Sequence, residues 1–252
     1  MKPVYAVILA GDNLDHKVRE GEAVANKAFL AINGRPMLEY VIDCYLQTDL
    51  AGVAVVGPED KLSTLVGDDV KVIPQQGSMI ANILAAAREL EGTLILSSCD
   101  IPLITSQAVE DFLSRCRDAE LFYPLVSRED NERVFPGMKR TYAKLRDGVF
   151  TGGNIIVIDS GAVPVAAKAA EQFFEARKSP LRMARLVGLG TLCKLVSRRL
   201  SLTEIEAKMS SILGVRCRAI LSAYPELGTD VDKESDYKLI SARLPSWQPQ
   251  AK

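Results

Sequence analysis

The chain has 252 residues, and its 31 Lys and Arg residues against 32 Asp and Glu residues give a formal net charge of −1. This near balance argues against a protein that coats DNA, which is usually basic, and we expect no nucleic-acid partner. With His16 as its only histidine and five widely spaced cysteines, the sequence argues against Ser-His-Asp hydrolysis, histidine-rich zinc sites and a disulfide framework. We expect a cytoplasmic protein with reduced thiols.

Apolar runs alternate with amphipathic segments along the chain. The first, from Val4 to Leu9, is uninterrupted and typical of a strand that is covered on both faces. In chain order, the pattern then predicts a helix at 36–47 that starts on Pro36, strands at 52–56 and 70–73, a helix at 80–90, a strand at 93–96, a helix at 106–118, strands at 121–126 and 155–158, a helix at 161–177 and a strand at 216–221. This alternation predicts a mostly parallel sheet between two layers of helices.

Two regions interrupt this alternation. Residues 127–150 are polar and charged, and residues 180–213 look helical, with an interruption near Gly188 and a new cap at Ser201. Between Arg177 and Arg218, ten basic residues oppose two glutamates, a local balance of +8. Three interpretations stay open for this basic segment: a solvated face docked on the core, a binding site for a phosphorylated acceptor, or a surface that lies on an anionic membrane.

The loop after the first strand is the first candidate for a site. It begins at Leu9-Ala10-Gly11 and carries Lys17, Arg19 and Lys27. A glycine lets the backbone approach a ligand, and backbone amides and lysines bind phosphate. The loop has neither a Walker motif nor a dinucleotide fingerprint, and a polar surface loop is the alternative.

Carboxylates form the second candidate. Asp100 follows an apolar strand directly, and Asp230 and Asp232 alternate in an extended segment, so that both can face one side. Carboxylates that converge on a phosphate-binding loop favour a hard divalent ion such as Mg²⁺. The alternatives are a helix cap at Asp100 and a solvated acidic turn at 230–236.

Together, five segments resemble a nucleotidyltransferase of the NTP-transferase superfamily, close to molybdopterin guanylyltransferase-like and cytidylyltransferase-like proteins. The segments that carry the resemblance are 9–11, 27–38, 99–102, 152–154 and 230–232. The resemblance implies a Rossmann-like three-layer α/β sandwich of the nucleotide-diphospho-sugar transferase type, with a mostly parallel mixed sheet. It further implies a single domain over residues 1–244, with a helical insertion at about 178–214 and a flexible tail at 245–252.

The resemblance also implies roles for individual residues. Leu9, Ala10 and Gly11 would line the nucleotide, with Lys27 on its phosphates. Gly77, Ser78 and Asn82 would lie near the base or the ribose. Asp100 and Asp232 would bind the metal, with Asp230 as a third ligand or as a neighbour that contacts the ligands. Gly152, Gly153 and Asn154 would face the acceptor. Asp12 stands where relatives commonly have a further glycine. Phosphate binding by the backbone of this loop would then be weaker, and Lys17, Arg19 and Lys27 would supply more of the contacts.

The implied reaction moves a nucleoside monophosphate from an NTP, CTP or GTP, to a small phosphorylated acceptor and releases pyrophosphate. A phosphate monoester has a second pKa of about 6, so this nucleophile arrives largely ionised and needs no histidine base. Lys27 and Asp100 would then be the catalytic residues, with Mg²⁺ as the cofactor. A nucleotide-sugar glycosyltransferase of the same fold and a non-catalytic nucleotide-binding module are the alternatives.

Overall fold

A computed structural model describes residues 2–11, 26–176 and 179–244 of the chain. The expectations for Asp12, His16, Lys17 and Arg19 lie outside the described residues. The same holds for Arg177, Lys178 and the tail at 245–252.

Strands and helices alternate over most of the described chain. The strands are β1 (Val4–Leu9), β2 (Ala31–Ile32), β3 (Arg35–Pro36), β4 (Gly52–Gly57), β5 (Val70–Pro74), β6 (Thr93–Ser98), β7 (Leu121–Ser127), β8 (Ala143–Leu145), β9 (Gly148–Gly152), β10 (Ile155–Asp159) and β11 (Cys217–Ser222). The helices are α1 (Met37–Leu46), α2 (Glu59–Leu65), α3 (Met79–Glu89), α4 (Ser106–Ser114), α5 (Arg128–Val134), α6 (Val163–Ala176), α7 (Pro180–Val187), α8 (Leu189–Val196), α9 (Leu202–Leu213) and α10 (Glu234–Arg243).

A nine-stranded mixed sheet forms the centre of the described chain, in the order β5-β4-β1-β6-β10-β7-β9-β8, with β11 also paired to β7. Strand β1 is parallel to β4 and β6, whereas β10 is antiparallel to both β6 and β7. The register places Leu9 opposite Ser98 and Ile155 opposite Ser97. The end of β1, the end of β6 and the start of β10 therefore lie side by side at one edge of the sheet.

Helices cover both faces of this sheet. Successive residues of β1 point to opposite faces, so Ala6 and Ile8 join one core cluster while Val7 joins the other. The first cluster packs against α1 and α4, and the second against α3, α6 and α9. The predicted three-layer α/β sandwich is confirmed.

The basic segment is helical, as predicted. Gly188 separates α7 from α8 with a φ of +85°, in the left-handed region that favours glycine. A reciprocal capping box between Ser201 and Glu204 starts α9. Leu195 and Leu200 pack against β8 and β9, which anchors this segment to the sheet. That the segment is an insertion into a single domain over 1–244 stays a prediction.

Several boundaries differ from the sequence prediction. Pro36 ends β3 and precedes α1 as its N-cap, because its ψ of 135° is extended rather than helical. Helix α4 is capped by Thr105 and already ends at Ser114 rather than at residue 118. The region 127–150 contains α5, β8 and β9, which the sequence pattern missed because the charged residues of α5 face solvent.

None of the described helices is long and apolar enough to cross a membrane. All five cysteines are free, and Cys193 is the exposed one.

We predict that iodoacetamide at pH 8 labels Cys193 of the folded protein well before the other thiols. Burial raises the pKa of Cys44 and of Cys116 to about 12, and burial also raises the pKa of Cys99 and Cys217, so few of these thiols are ionised. Peptide mass spectrometry over time measures the order. Equally fast labelling of Cys99 and Cys193 would contradict the buried position of Cys99, and unfolding in urea should equalise all five.

Candidate active site

The candidate site lies at the sheet edge where β1 and β6 end. Three loops reach it: the segment after β1 with Asn26 and Lys27, the segment after β6 with Asp100, and the segment 229–233 that leads from β11 to α10. Parallel strands that lie side by side end at the same edge, so the topology alone brings the first two loops together.

The backbone after β1 is tightly held. Ala10 is fully buried, its N–H donates to the carbonyl of Val56 at 2.8 Å, and its carbonyl accepts from Asn26 Nδ2 at 2.7 Å. The side chain of Asn26 also accepts from the N–H of Ala28 at 2.8 Å and so caps the short 3₁₀ turn that carries Lys27. Asn26 therefore ties the position of Lys27 to the end of β1.

Lys27 is a buried cation between two carboxylates. Its Nζ donates to Asp232 Oδ1 at 2.6 Å and to Asp100 Oδ2 at 3.2 Å, and the side chain is 9% exposed. Burial works to lower the pKa of Lys27, but the negative charges of Asp100 and Asp232 outweigh it and hold that pKa above its usual value. Lys27 is therefore a fixed positive charge at neutral pH.

A backbone hydrogen bond joins Asp100 to the last loop. The N–H of Val231 donates to the carbonyl of Asp100 at 2.9 Å, and the Val231 side chain is fully buried in a cluster with Leu30 and Met37. Asp230 and Asp232 flank this anchored valine. One oxygen each from Asp100, Asp230 and Asp232 lies within 4.8 Å of the others. We call these three residues the carboxylate cluster.

Arg140 is the second cation at the cluster. Its Nη1 donates to Asp230 Oδ1, and both side chains are largely buried. Burial, reinforced by the Asp100 carboxylate, raises the pKa of Asp230, and Arg140 opposes that shift. The Nε and Nη2 atoms of Arg140 are buried without a hydrogen-bond partner among the described residues. Arg140 was not predicted as a site residue, because it is one of two adjacent basic residues in the polar region 127–150 and no sequence motif distinguishes it.

Asp236 holds the loop from the other side. Its carboxylate accepts from the backbone N–H of Asp232 at 3.2 Å and of Lys233 at 3.0 Å, at the start of α10. These two hydrogen bonds fix the backbone at Asp232.

Asn82 lies beside the loop after β1. Its Oδ1 accepts from the N–H of Gln76 at 2.5 Å, and a Cβ added to Gly11 would lie 3.0 Å from its Nδ2. Ser78 caps α3 by accepting from the N–H of Ala81 at 3.1 Å, and Gly77 faces open space. The structure thus brings Gly11 and Asn82 together, while the predicted nucleotide contacts of Leu9, Ala10, Gly11, Gly77, Ser78 and Asn82 stay predictions.

The segment 152–154 lies beside the end of β6 because Asn154 forms backbone hydrogen bonds with two neighbouring segments. Its N–H donates to the carbonyl of Leu227 at 2.7 Å, and its carbonyl accepts from the N–H of Ser98 at 3.0 Å. The glycines fit close packing: a Cβ at Gly152 would lie 2.1 Å from the Tyr123 hydroxyl, and one at Gly153 would lie 2.6 Å from Pro124. The acceptor contacts of Gly152, Gly153 and Asn154 stay predictions.

The donor set of the carboxylate cluster suits a hard divalent cation. Two oxygens on opposite sides of an octahedral Mg²⁺ are about 4 Å apart, since each bond is ~2.1 Å, and the cluster oxygens lie within 4.8 Å of one another. Three carboxylates against Lys27 and Arg140 leave one negative charge uncompensated among these groups. The cluster therefore has both the chemistry and the charge to bind a metal ion.

The family is shown by the comparison with known proteins. A family model described as the MobA-like NTP transferase domain matches residues 6–185. The fold and this match define the chain as a nucleotidyltransferase. The chain belongs to the MobA-like NTP transferase domain family, and the resemblance drawn from the sequence is confirmed.

Solved structures agree with this assignment. A hypothetical transferase from Thermus thermophilus is 39% identical, with 94% of this chain and 100% of that chain covered and a TM-score of 0.85. A CMP:2-keto-3-deoxy-manno-octonic acid synthetase complexed with CTP is 16% identical, with 96% and 98% covered and a TM-score of 0.64. A 4-diphosphocytidyl-2C-methyl-D-erythritol synthase from Anaerococcus prevotii is 10% identical, with 96% of each chain covered and a TM-score of 0.59. The last two show the fold, and the comparison with curated proteins gives no significant match.

We predict that Arg140→Met lowers the free energy of unfolding by about 3 kcal/mol, because the substitution leaves Asp230 buried beside Asp100 without its cation. Urea unfolding followed by circular dichroism measures the change. Arg133→Met is the matched control: Arg133 pairs with Asp130 but is 64% exposed, and a loss below about 1 kcal/mol is expected. Adding Asp230→Asn to Arg140→Met should recover part of the stability, and a double variant no more stable than the single one would contradict a charge effect.

Proposed function

We propose that the protein transfers a nucleoside monophosphate from CTP or GTP to a phosphorylated small-molecule acceptor and releases pyrophosphate, with Mg²⁺ as cofactor. The observation that supports the proposal is the carboxylate cluster around Lys27, at the sheet edge where β1 and β6 end. In this reaction an acceptor oxygen forms a bond to the α-phosphorus, and the bond from that phosphorus to the bridging oxygen breaks. Pyrophosphate leaves with the electron pair of the broken bond.

Charge is the main barrier to this reaction, because a phosphate nucleophile must approach a triphosphate. Mg²⁺, bound by Asp100 and Asp232 with Asp230 as a third ligand or behind them, would neutralise phosphate charge and align the attack. In that state we assign Lys27 to the phosphates of the nucleotide. Its contacts with Asp100 and Asp232 hold the ammonium group at this edge before substrate binds.

The loop after β1 supports nucleotide binding through its shape. Gly11 has no side chain, and Asn82 and Gln75 lie 3.0 and 3.4 Å from where its Cβ would be, so a larger residue would press on them. We propose that the nucleotide binds against this loop, in contact with Leu9, Ala10, Gly11 and Lys27 and with Gly77, Ser78 and Asn82 on α3 and the segment before it. Gly152, Gly153 and Asn154 are assigned to the acceptor, because they lie across Ser98 from this loop.

We give CTP a slight preference over GTP. Two of the similar folds, a CMP:2-keto-3-deoxy-manno-octonic acid synthetase complexed with CTP and a 4-diphosphocytidyl-2C-methyl-D-erythritol synthase, have names or ligands that contain cytidine nucleotides. The family model is described as MobA-like, and the sequence resembles guanylyltransferases as well, so GTP remains in the proposal. We further propose a cytoplasmic location, which five free cysteines support.

We predict that Asp100→Asn and Asp232→Asn each lower the rate of pyrophosphate release at least 100-fold, since each removes one charged ligand from the metal site. A coupled pyrophosphate assay with each of the four NTPs, Mg²⁺ and a set of phosphorylated acceptors measures the rate.

The control is Asp68→Asn, an exposed carboxylate before β5, which should keep the wild-type rate. Circular dichroism checks that all variants fold. A near wild-type rate in Asp100→Asn would contradict the metal assignment. Release of nucleoside diphosphate from a nucleotide sugar would favour the glycosyltransferase alternative. Nucleotide binding that needs no metal, without turnover, would favour a binding module.

A further inference from the structure

An apolar cavity of about 430 Å³ lies between the sheet and helices α3, α6, α7 and α9. Apart from the Tyr123 hydroxyl, every described side chain on its wall is hydrocarbon or thioether, including Ile83, Ile156, Phe173 and Met209. The volume falls within the ~300–1,000 Å³ range of small-molecule sites. A sugar would lose its hydrogen bonds to water in this cavity and would find almost no polar partner there. A hydrocarbon chain has no such hydrogen bonds to lose.

The cavity adjoins the candidate active site at two places. Tyr123 lines the cavity, and its hydroxyl lies against Gly152, where an added Cβ would be 2.1 Å away. Met79 and Ile83 line it from α3, the same helix that sets Asn82 against Gly11. The cavity wall is therefore next to both the assigned acceptor segment and the residues assigned to the nucleotide.

Helix α7 connects the cavity with an unusual surface. Met183 lines the cavity, while Leu181 on the same helix is 77% exposed. On α8, Leu189 is 74% exposed and Val196 is 78% exposed. These are the three most exposed large apolar side chains of the described chain. We call α7 and α8 the basic helix pair, because positive charge surrounds these side chains.

The charge of the basic helix pair is one-sided. Residues 179–203 contain five basic residues and no acidic residue. Lys194 pairs with Glu204, whereas the exposed Arg182, Arg185, Arg198 and Arg199 form no ion pair within the described part of the chain. Exposed leucines among unpaired arginines are the pattern of helices that lie on an anionic bilayer.

We propose that the acceptor is a phosphorylated lipid taken from an anionic membrane, with its hydrocarbon chain in the apolar cavity and the basic helix pair on the bilayer surface. The proposal rests on the proposed function and names the class of its acceptor. The phosphate of such a lipid lies at the site while its chain passes Tyr123 into the cavity. Leu181, Leu189 and Val196 contact the lipid interface, and the arginines face its anionic headgroups.

The first experiment measures binding of butyl, octyl and dodecyl phosphate, each below its critical micelle concentration, by isothermal titration calorimetry with Mg²⁺ and a non-hydrolysable CTP analogue present, so that no transfer occurs. Between butyl and octyl phosphate, affinity should rise up to about fourfold for each added methylene group that enters the cavity. Affinity that is independent of chain length would overturn the proposal.

Two α6 variants locate the chain. Ala170 lines the cavity, and Ala170→Trp should fill it and remove the dependence on chain length. Gln172→Trp places the same side chain at an exposed position of the same helix that does not line the cavity, and should keep the dependence. An unchanged dependence in a folded Ala170→Trp would overturn the cavity assignment. The wild-type series alone decides the question if that variant does not fold.

The second experiment tests the surface by vesicle flotation. Wild-type protein should float with phosphatidylglycerol-containing vesicles and not with pure phosphatidylcholine vesicles, and high salt should weaken the binding. Leu181→Ser combined with Leu189→Ser should lower the bound fraction several-fold. Val165→Ser, a change at a 59% exposed residue on α6, should not. The proposal that the acceptor comes from a membrane would be overturned if the wild-type protein did not float with anionic vesicles. It would also be overturned if the double leucine variant floated as well as Val165→Ser.

Failure of this proposal is distinguishable from failure of the proposed function. A thermal shift with CTP or GTP and Mg²⁺ reports nucleotide binding without any acceptor. If that shift is present and chain length has no effect, the lipid acceptor is wrong and nucleotidyl transfer to another acceptor stands. If neither nucleotide shifts the melting temperature and Asp100→Asn also keeps a near wild-type rate of pyrophosphate release, the proposed function itself is wrong.

Discussion

The site depends on one backbone hydrogen bond, from the N–H of Val231 to the carbonyl of Asp100. It joins the end of β6 to the loop before α10, two segments that are far apart in the sequence. Val231 is fully buried with Leu30, which directly follows the turn that carries Lys27, and with Met37, whose N–H donates to the carbonyl of Leu30. The same apolar contacts that stabilise the loop therefore bring three carboxylates around one ammonium group.

Three carboxylates this close together are costly without cations, because like charges repel and because Asp100 and Asp230 are largely buried. Lys27 offsets the cost at Asp100 and Asp232, and Arg140 offsets it at Asp230. Two carboxylates thus pair with the ammonium group of Lys27 and one pairs with the guanidinium group of Arg140. Under the proposed function, Asp100 and Asp232 would hold the divalent cation and Lys27 would contact the nucleotide phosphates.

The main strands of the sheet and the candidate carboxylates could be predicted from the sequence, because both have local sequence patterns. Buried strands such as β1 are continuous apolar runs, and Asp100 stands directly after one of them. Arg140 left no such signal, because its importance comes from a contact with Asp230 that only the tertiary fold creates. The short strands β2, β3 and β8 were missed for a similar reason: two or three residues carry no periodicity. The apolar cavity was also missed, since Tyr123, Ile156 and Met183 lie on three different elements.

Asp100, Asp230 and Asp232 are proposed to form the metal site of this nucleotidyltransferase. Crystals soaked with Mn²⁺ and a non-hydrolysable CTP analogue test this proposal, because anomalous scattering locates Mn²⁺ independently of the protein atoms. We expect an anomalous peak within about 2.5 Å of oxygens from Asp100 and Asp232, with the triphosphate beside Lys27. A well-bound nucleotide whose Mn²⁺ lies away from both carboxylates would contradict it.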